Sequence, residues 1–252
     1  MIGMSCTGFS STEPVAWLDR IVGVFDLWEI FSEADHSISA HLDTFSDLLP
    51  SYDLSYSVHS PISDINIASL SDRVREASLA EIVSTADAAN RLDIATVTVH
   101  PGLAPMAMTH LAPRAVERAR ESMRAIGRAS EEYGVVMAIE NMPDMPFFLG
   151  RTAEDLLGII DGTDLAVCFD IGHANTTDQI GEMISTFGDR IANIHIHDND
   201  GTGDQHRTIG EGCIDFDGVL ESLGWYGGNY VIEARSFESA VDSQSSLESL
   251  LS

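Results

Sequence analysis

The sequence predicts an α/β protein, a single (β/α)8 TIM barrel that takes up residues 1–252 as one domain. Short β-branched runs alternate with helical segments along the whole chain, and no linker or change in composition interrupts them. Polar side chains follow most of the runs, as they do at the carboxyl-terminal mouth of a barrel. A doubly wound sheet, the competing architecture, typically begins with a Gly-rich dinucleotide turn, and the first strand here ends in Cys6-Thr7-Gly8-Phe9-Ser10.

Each predicted strand is a short β-branched run that stops at a polar residue. In chain order the strands are predicted at 2–5, 27–31, 54–58, 95–99, 135–139, 165–169, 192–196 and 230–232. Each of them is followed by a segment with helical spacing of its apolar residues. Eight strands that alternate with eight helices favour one parallel sheet, which closes most economically as a barrel.

The helices are predicted from apolar residues spaced three and four apart and from capping residues at their starts. They are expected at 14–24, 37–49, 71–91, 112–133, 152–161, 177–188, 215–223 and 236–251. In the third helix, Val74, Leu79, Ile82, Val83 and Ala86 form one apolar stripe. The patterns Thr152-x-x-Asp155 and Thr176-x-x-Gln179 predict the starts of the fifth and sixth helices.

The charge balance of the chain excludes several classes of function. Forty acidic residues face thirteen basic ones, which gives a formal net charge of −27, and every basic residue is arginine. Without lysine, the protein cannot form a lysine Schiff base or a phosphate-binding P-loop. The negative field also makes nucleic acid and anionic membranes improbable partners. An acidic surface of this kind is typical of a halophile-like protein from a saline cytoplasm.

The cysteines and the N-terminus predict a cytoplasmic location. The three cysteines, Cys6, Cys168 and Cys213, are far apart in sequence, which favours a reduced compartment. The first basic residue is Arg20, so the start lacks the basic region of a secretory signal. No apolar run approaches the roughly 18 residues of a membrane span, so no membrane is expected as a partner.

The polar residues after the strands form a candidate metal site. If the barrel closes, these strand ends and the loop after the seventh strand meet at one mouth. The side chains concerned are His59, His100, Glu140, Asp170, His173, His195, Asp204, His206 and Glu233. Four clustered carboxylates cannot all stay ionised without cations, and mixed imidazole and carboxylate donors suit Zn²⁺, Mn²⁺ or Co²⁺. We therefore expect a divalent metal as cofactor.

Residues near this set have other expected roles. Cys168 shares a strand face with Asp170 and is assigned to the barrel interior, and His36, His41 and His110 are assigned to the surface. His197 lies two residues after His195 and is expected to orient a ligand or contact substrate. The roles of two further pairs of residues remain open. Arg207 and Arg235 are either substrate handles or surface residues, and Phe147 and Phe148 either shield the reacting centre or pack in the core.

At these residues the chain resembles the xylose-isomerase-like TIM-barrel superfamily, which includes sugar (phosphate) isomerases and epimerases and also endonuclease IV, of AP endonuclease family 2. The resemblance runs from the third strand to the eighth. It is carried by Val99-His100-Pro101-Gly102, Ile139-Glu140-Asn141, Phe169-Asp170-Ile171-Gly172-His173 and His206-x-x-Ile-Gly-Glu-Gly-x-Ile-Asp-Phe216. The absence of lysine separates the chain from xylose isomerase proper, which uses an active-site lysine.

The resemblance implies two alternative sites. In the epimerases one ion is held by four residues, which match Glu140, Asp170, His195 and Glu233. In endonuclease IV nine ligands hold three zinc ions, and all nine positions are matched in this sequence. The multinuclear alternative therefore adds His59, His100, His173, Asp204 and His206 to the ligands, and one to three ions are expected.

From the resemblance and the charge we expect an isomerase or epimerase of a small sugar, sugar phosphate or other sugar derivative. The metal would stabilise an enediolate, Glu140 and Glu233 would act as the acid–base pair, and His173 would hold a substrate oxygen. The alternative is a trinuclear zinc phosphoesterase that acts on a small phosphoester or on abasic-site DNA. The predicted mouth loops 32–36 and 60–63 carry neither an arginine nor an aromatic wedge, which disfavours DNA. A homo-oligomer is possible under either interpretation.

Overall fold

The computed structural model describes residues 1–251, which form a closed barrel of eight parallel strands in sequential order, with helices between them. The strands are β1 (Ile2–Ser5), β2 (Leu27–Phe31), β3 (Ser55–His59), β4 (Thr96–Val99), β5 (Val136–Glu140), β6 (Ala166–Asp170), β7 (Ile191–Ile196) and β8 (Tyr230–Glu233). Strand β8 pairs with β1, which closes the sheet. The predicted (β/α)8 barrel is therefore confirmed.

Nine α-helices lie between or after the strands within the described residues. They are α1 (Pro14–Ile21), α2 (Leu42–Leu48), α3 (Asp72–Arg91), α4 (Ala112–Tyr133), α5 (Ala153–Ile160), α6 (Ile171–Thr176), α7 (Ile180–Phe187), α8 (Phe216–Ser222) and α9 (Phe237–Leu250). One apolar core joins them to the strands, and its large buried side chains include Trp28, Phe45, Phe169 and Phe187. No helix between residues 1 and 251 is long and apolar enough to cross a membrane.

The capping predictions have different outcomes. Thr152 caps α5 as predicted, since its Oγ1 accepts a hydrogen bond from the Asp155 amide at 3.1 Å. Thr176 was predicted to start the sixth helix, but it ends the short helix α6, and α7 follows after Gln179 without a side-chain cap. The reason is Asp170, whose carboxylate accepts the His173 amide at 2.6 Å and starts a helix directly after the strand.

Four strands run one residue further than the sequence predicted, and each added residue is a candidate metal donor. These are His59, Glu140, Asp170 and Glu233. Each is paired in the ladder with a neighbouring strand, as Asp170 is with His195 and Glu233 is with Ser5. The backbone of these donors is therefore held by the sheet instead of by a loop, which fixes where their side chains begin.

Candidate metal centre

The carboxylate of Glu140 lies at the centre of the mouth and contacts three histidines. Its Oε2 is 2.9 Å from Nε2 of His100 and 3.3 Å from Nε2 of His59, and its Oε1 is 3.0 Å from Nδ1 of His195. The side chain is only 1% exposed. Burial opposes its ionisation, but the nearby His195 and His100 hold the pKa of Glu140 well below its usual range. Glu140 is therefore an ionised carboxylate available to a cation.

A four-residue donor group includes Glu140 and faces the barrel axis. One ligand atom from each of Glu140, Asp170, His195 and Glu233 lies within 4.8 Å of the others. The Oε1 of Glu233 is 3.1 Å from Nδ1 of His195. Asp170 is fully buried, and its Oδ2 accepts no hydrogen bond in the described part of the chain. A buried carboxylate oxygen in this state is costly unless a cation pairs with it, so the residues fit a metal ion.

Three further donor groups share residues with this one. His59 and His100 share Glu140 with it, Cys168 shares Glu140 and His195, and His173, His197 and His206 share Glu233. Asp204 joins the last group, because its Oδ1 lies 3.1 Å from Nε2 of His206 and 3.6 Å from Nε2 of His173. All nine donors predicted from the sequence, which are His59, His100, Glu140, Asp170, His173, His195, Asp204, His206 and Glu233, thus lie in one connected cluster.

Backbone carbonyls select the histidine nitrogen that faces the mouth. The Nδ1 of His59 is 2.8 Å from the Ser60 carbonyl, and the Nδ1 of His173 is 2.9 Å from the Asn141 carbonyl. Because a carbonyl oxygen only accepts, each Nδ1 carries a proton, and each Nε2 lone pair is left for an ion when the ring is neutral. Metal-binding histidines are anchored through the second nitrogen in the same way.

The charge of the cluster also fits a cation. Burial disfavours imidazolium at His173 and His195, yet their neighbours raise the pKa of both histidines well above its usual range. The neighbours are Asp170, Asp204 and Glu140 at His173, and Cys168, Glu29, Glu233 and Glu140 at His195. Burial likewise opposes ionisation of Asp204, but its hydrogen bonds with His173 and His206 lower its pKa. The carboxylates therefore need positive charge nearby, which protons supply in the absence of metal and which a divalent ion supplies when it binds.

Glu29 is a buried carboxylate beneath the cluster that the sequence analysis missed. Its Oε1 is 2.8 Å from Nε2 of His195, and its Oε2 accepts hydrogen bonds from Ser57 Oγ at 3.0 Å and from Asn193 Nδ2 at 2.9 Å. With Nε2 of His195 engaged, Nδ1 is the nitrogen that faces Glu140 and Glu233. The available signal was a glutamate in the middle of the apolar run 27–31, because charge in a buried strand needs a partner.

Asp198, a second residue that the sequence analysis left out, holds the loop after β7. This buried carboxylate accepts hydrogen bonds from the amides of Gly210 at 3.0 Å and Gly212 at 2.8 Å. The backbones of Asp198 and Arg207 also exchange two hydrogen bonds. The loop between these contacts carries Asp204 and His206, so Asp198 fixes the position of two donors.

The predicted substrate residues have partners within the protein. Arg207 forms an ion pair with Asp200 at 2.7 Å, and Arg235 donates to the backbone carbonyls of Gln205 and Asp204. His197 is fully buried, with Nε2 3.4 Å from Oδ1 of both Asp170 and Asp204. The assignment of Arg207, Arg235 and His197 to substrate stays a prediction.

The predictions for the residues around the site have different outcomes. Cys168 is fully buried, as expected for the barrel interior. His41 and His110 are exposed as predicted, but the surface assignment of His36 is wrong. His36 is buried because its ring packs edge-on against Trp28 and its Nε2 lies 2.9 Å from the Thr12 carbonyl. Phe147 and Phe148 have intermediate exposure, and the ring of Phe148 stands edge-on to that of His100.

Comparison with known proteins gives a consistent family. The model of the family described as xylose isomerase-like TIM barrel matches residues 19–250. The protein MJ1311 of Methanocaldococcus jannaschii is 36% identical over 236 residues, which cover 90% of this chain and 80% of that protein. A crystal structure of a D-tagatose 3-epimerase-like protein superposes with a TM-score of 0.91 and 33% identity, over 99% of this chain and 96% of that one. A probable endonuclease 4 of Thermoplasma acidophilum is 30% identical over 169 residues, 60% of this chain and 56% of that protein.

Proposed function

The chain belongs to the xylose isomerase-like TIM-barrel family, and on that premise we propose that it is a divalent-metal-dependent isomerase or epimerase of a small sugar or sugar derivative. One observation carries this proposal. Glu140 and Glu233 come from β5 and β8, which are not neighbours in the barrel, and their Oε1 atoms lie 3.0 and 3.1 Å from the same Nδ1 of His195. Two carboxylates thus reach one point from different sides.

Such a pair suits proton transfer at carbon. One glutamate would take the proton from the carbon next to the substrate carbonyl, and the other would return a proton to the opposite face or to the adjacent carbon. The lowered pKa of both glutamates keeps them ionised, so the first can accept the carbon-bound proton, and the second would return a proton that it has taken up from solvent. His173, with its Nδ1 bound to the Asn141 carbonyl, would present Nε2 to a substrate oxygen.

The four-residue group of Glu140, Asp170, His195 and Glu233 would hold the ion, with Mn²⁺, Co²⁺ and Zn²⁺ as the candidates for its mixed donors. When bound, the ion would supply Lewis-acid stabilisation of the negative charge that develops on the substrate oxygens. The side chains of the protein supply the other contributions to the reaction. The nearly complete burial of Glu140 and Asp170 keeps bulk water from the reacting carbons on that side of the mouth.

The proposal is tested by exchange of carbon-bound hydrogen with solvent deuterium. Metal-loaded protein is incubated with a panel of ketoses, aldoses and their phosphates in D2O, and incorporation is followed by NMR. We expect at least one substrate to exchange, and Glu233→Gln to slow that exchange by about a hundredfold or more. Glu238→Gln, an exposed glutamate on α9, is the control. Exchange at the wild-type rate in Glu233→Gln would refute the acid–base role.

A trinuclear phosphoesterase is the second candidate, and a specific observation favours it. Five donors beyond the four-residue group, His59, His100, His173, Asp204 and His206, lie in the same cluster, which is more than one ion needs. Elemental analysis of protein purified without chelator separates the two candidates. About one Mn²⁺ or Co²⁺ per chain supports the isomerase, whereas two or three zinc ions favour the phosphoesterase and direct screening to small phosphoesters first.

A further inference from the structure

An apolar cavity of about 180 Å³ opens beside the donor cluster, between the segments that follow β3, β4 and β5. Its walls include Ile62, Ile65, Leu103, Phe147 and Phe148. Engineered apolar cavities of about 150 Å³ stay dry and bind benzene, so this space is large enough for a small ring. The cavity therefore has the size and the surface to hold an apolar chemical group.

Two polar groups at the cavity wall, the side-chain amide of Asn66 and the carbonyl of Phe147, already form hydrogen bonds within the protein. Oδ1 of Asn66 accepts hydrogen bonds from the amides of Ala68 and Leu103, both at 2.9 Å, and its Nδ2 donates to the Leu103 carbonyl at 3.0 Å. The Phe147 carbonyl accepts the Ala104 amide at 2.8 Å. A sugar hydroxyl placed against these two groups would lose its bonds to water without an equivalent replacement, which is costly.

The cavity is joined to the candidate metal centre through one side chain. His100 lines the cavity, and its Nε2 lies 2.9 Å from Oε2 of Glu140. The ring of Phe148 stands edge-on to that of His100, with centroids 6.3 Å apart. If two oxygens of a ligand bind at the metal centre, the group next to those oxygens would therefore lie in the cavity.

The two segments after β4 and β5 that line the cavity carry several large apolar side chains. Phe147 and Phe148 lie together with ring centroids 4.8 Å apart. Met106, Met108 and Met145, on the same two segments after β4 and β5, are 73%, 48% and 36% exposed. Methionine side chains are flexible and adapt to apolar partners of different shape. Segments of this composition suit an apolar group better than a polyol.

We propose, on the basis of the proposed function, that the substrate of this centre carries an apolar substituent of about the size of a phenyl ring or a short branched alkyl chain, next to the oxygens that the metal holds. The substituent occupies the cavity beside His100, while Glu140 and Glu233 face the reacting carbons. The substrate class is thus a small hydroxycarbonyl compound or sugar derivative with an apolar arm, and not an unsubstituted polyhydroxy sugar.

The test compares two chelating probes on the Mn²⁺-loaded protein by isothermal titration calorimetry. Acetohydroxamate and benzohydroxamate present the same pair of oxygens, and only the second carries a phenyl ring. We expect benzohydroxamate to bind about tenfold more tightly or better, because its ring is buried in the cavity. In Ile65→Asp, and in a second variant, Ile62→Asp, the ratio of the two affinities should fall close to one. The control is Leu157→Asp, which adds a carboxylate at a half-exposed leucine on α5 and should keep the wild-type ratio.

The outcomes separate this inference from the proposed function. If acetohydroxamate binds and benzohydroxamate binds no more tightly, the cavity does not hold the substituent, and the proposed function stands without it. The inference also fails if folded Ile65→Asp and Ile62→Asp both keep the wild-type ratio. If neither hydroxamate binds the metal-loaded protein, the centre has no open positions for substrate, and both proposals are overturned.

Discussion

Oε1 of Glu29 lies 2.8 Å from Nε2 of His195 in the interior of the barrel, and both side chains are fully buried. Glu29 is itself held by Ser57 and Asn193, so the chain of contacts runs from the middle of β2 to the mouth. In a metal-binding histidine, a carboxylate that contacts the ring nitrogen facing away from the metal sets the tautomer and the orientation of the ring. The Glu29–His195 pair therefore links the packing of the barrel interior to the chemistry of the centre.

We expect Glu29→Gln to weaken metal binding by about ten- to a hundredfold, since the amide no longer holds the charge and orientation of His195. The affinity for Mn²⁺ or Zn²⁺ is measured by competition with a chelating dye. Ser57→Ala is the matched control, because it removes a hydrogen bond to the same carboxylate but leaves the Glu29–His195 contact in place. Wild-type affinity in Glu29→Gln would show that Glu29 does not position this ligand.

Replacement of Asp198 by asparagine should destabilise the protein by about 1–3 kcal/mol, because the amide NH2 group faces backbone amides that now lack an acceptor. The free energy of unfolding is measured by denaturant titration on metal-free protein. Glu211→Gln, at an exposed carboxylate on the same loop, serves as the control and should cost much less. Equal losses in the two variants would contradict the role of Asp198 in holding the loop.

His36 should make the folded state sensitive to mild acid. Burial lowers the pKa of its imidazole to about 4 from its usual 6.5, against the opposing effects of the Thr12 carbonyl and of Asp35. The unfolded chain therefore binds more protons than the folded one between these values, so the stability from neutral His36 is present above pH 6.5 and is lost as the pH falls toward 4. The full loss is about 3 kcal/mol at most.

The measurement is the difference in unfolding free energy between the wild type and His36→Gln at several pH values from 7.5 to 4, with metal absent. Glutamine keeps a donor for the Thr12 carbonyl but does not titrate, so the advantage of the wild type should shrink on acidification. His41→Gln, at an exposed histidine nearby, should show no such trend. A difference that is independent of pH would contradict the prediction.

The donors outside the four-residue group give a test of ion number. If one ion is held by Glu140, Asp170, His195 and Glu233, then His59→Gln should still bind about one ion per chain, because His59 is not in that group. Elemental analysis of the wild type and of His59→Gln after identical loading with metal gives the number of ions per chain in each protein. A drop by one ion, from two or three in the wild type, would identify His59 as a ligand and favour the phosphoesterase.

The sequence by itself determined the barrel and the candidate donors. Eight β-branched runs alternate with amphipathic segments, and this local pattern is sufficient because parallel strands with helical crossovers have few ways to close. The donors could be found because each lies within three residues of the end of a strand or in the loop after β7, and these parts of the chain meet at one mouth. His36 was misassigned because nothing in its local sequence shows that Trp28 and Thr12 enclose it.

Only the tertiary structure decided the contacts that join distant parts of the chain. Glu29 and His195 are far apart in sequence, and no local pattern reveals that β2 brings a carboxylate under a histidine of β7. The choice of nitrogen at His59 and His173 depends in the same way on carbonyls fixed by the folded backbone. The cavity beside His100 likewise exists only where segments from three strands meet. The physical reason is that hydrogen bonds and cavities depend on distances of a few ångströms, which the closed barrel sets and the order of residues does not.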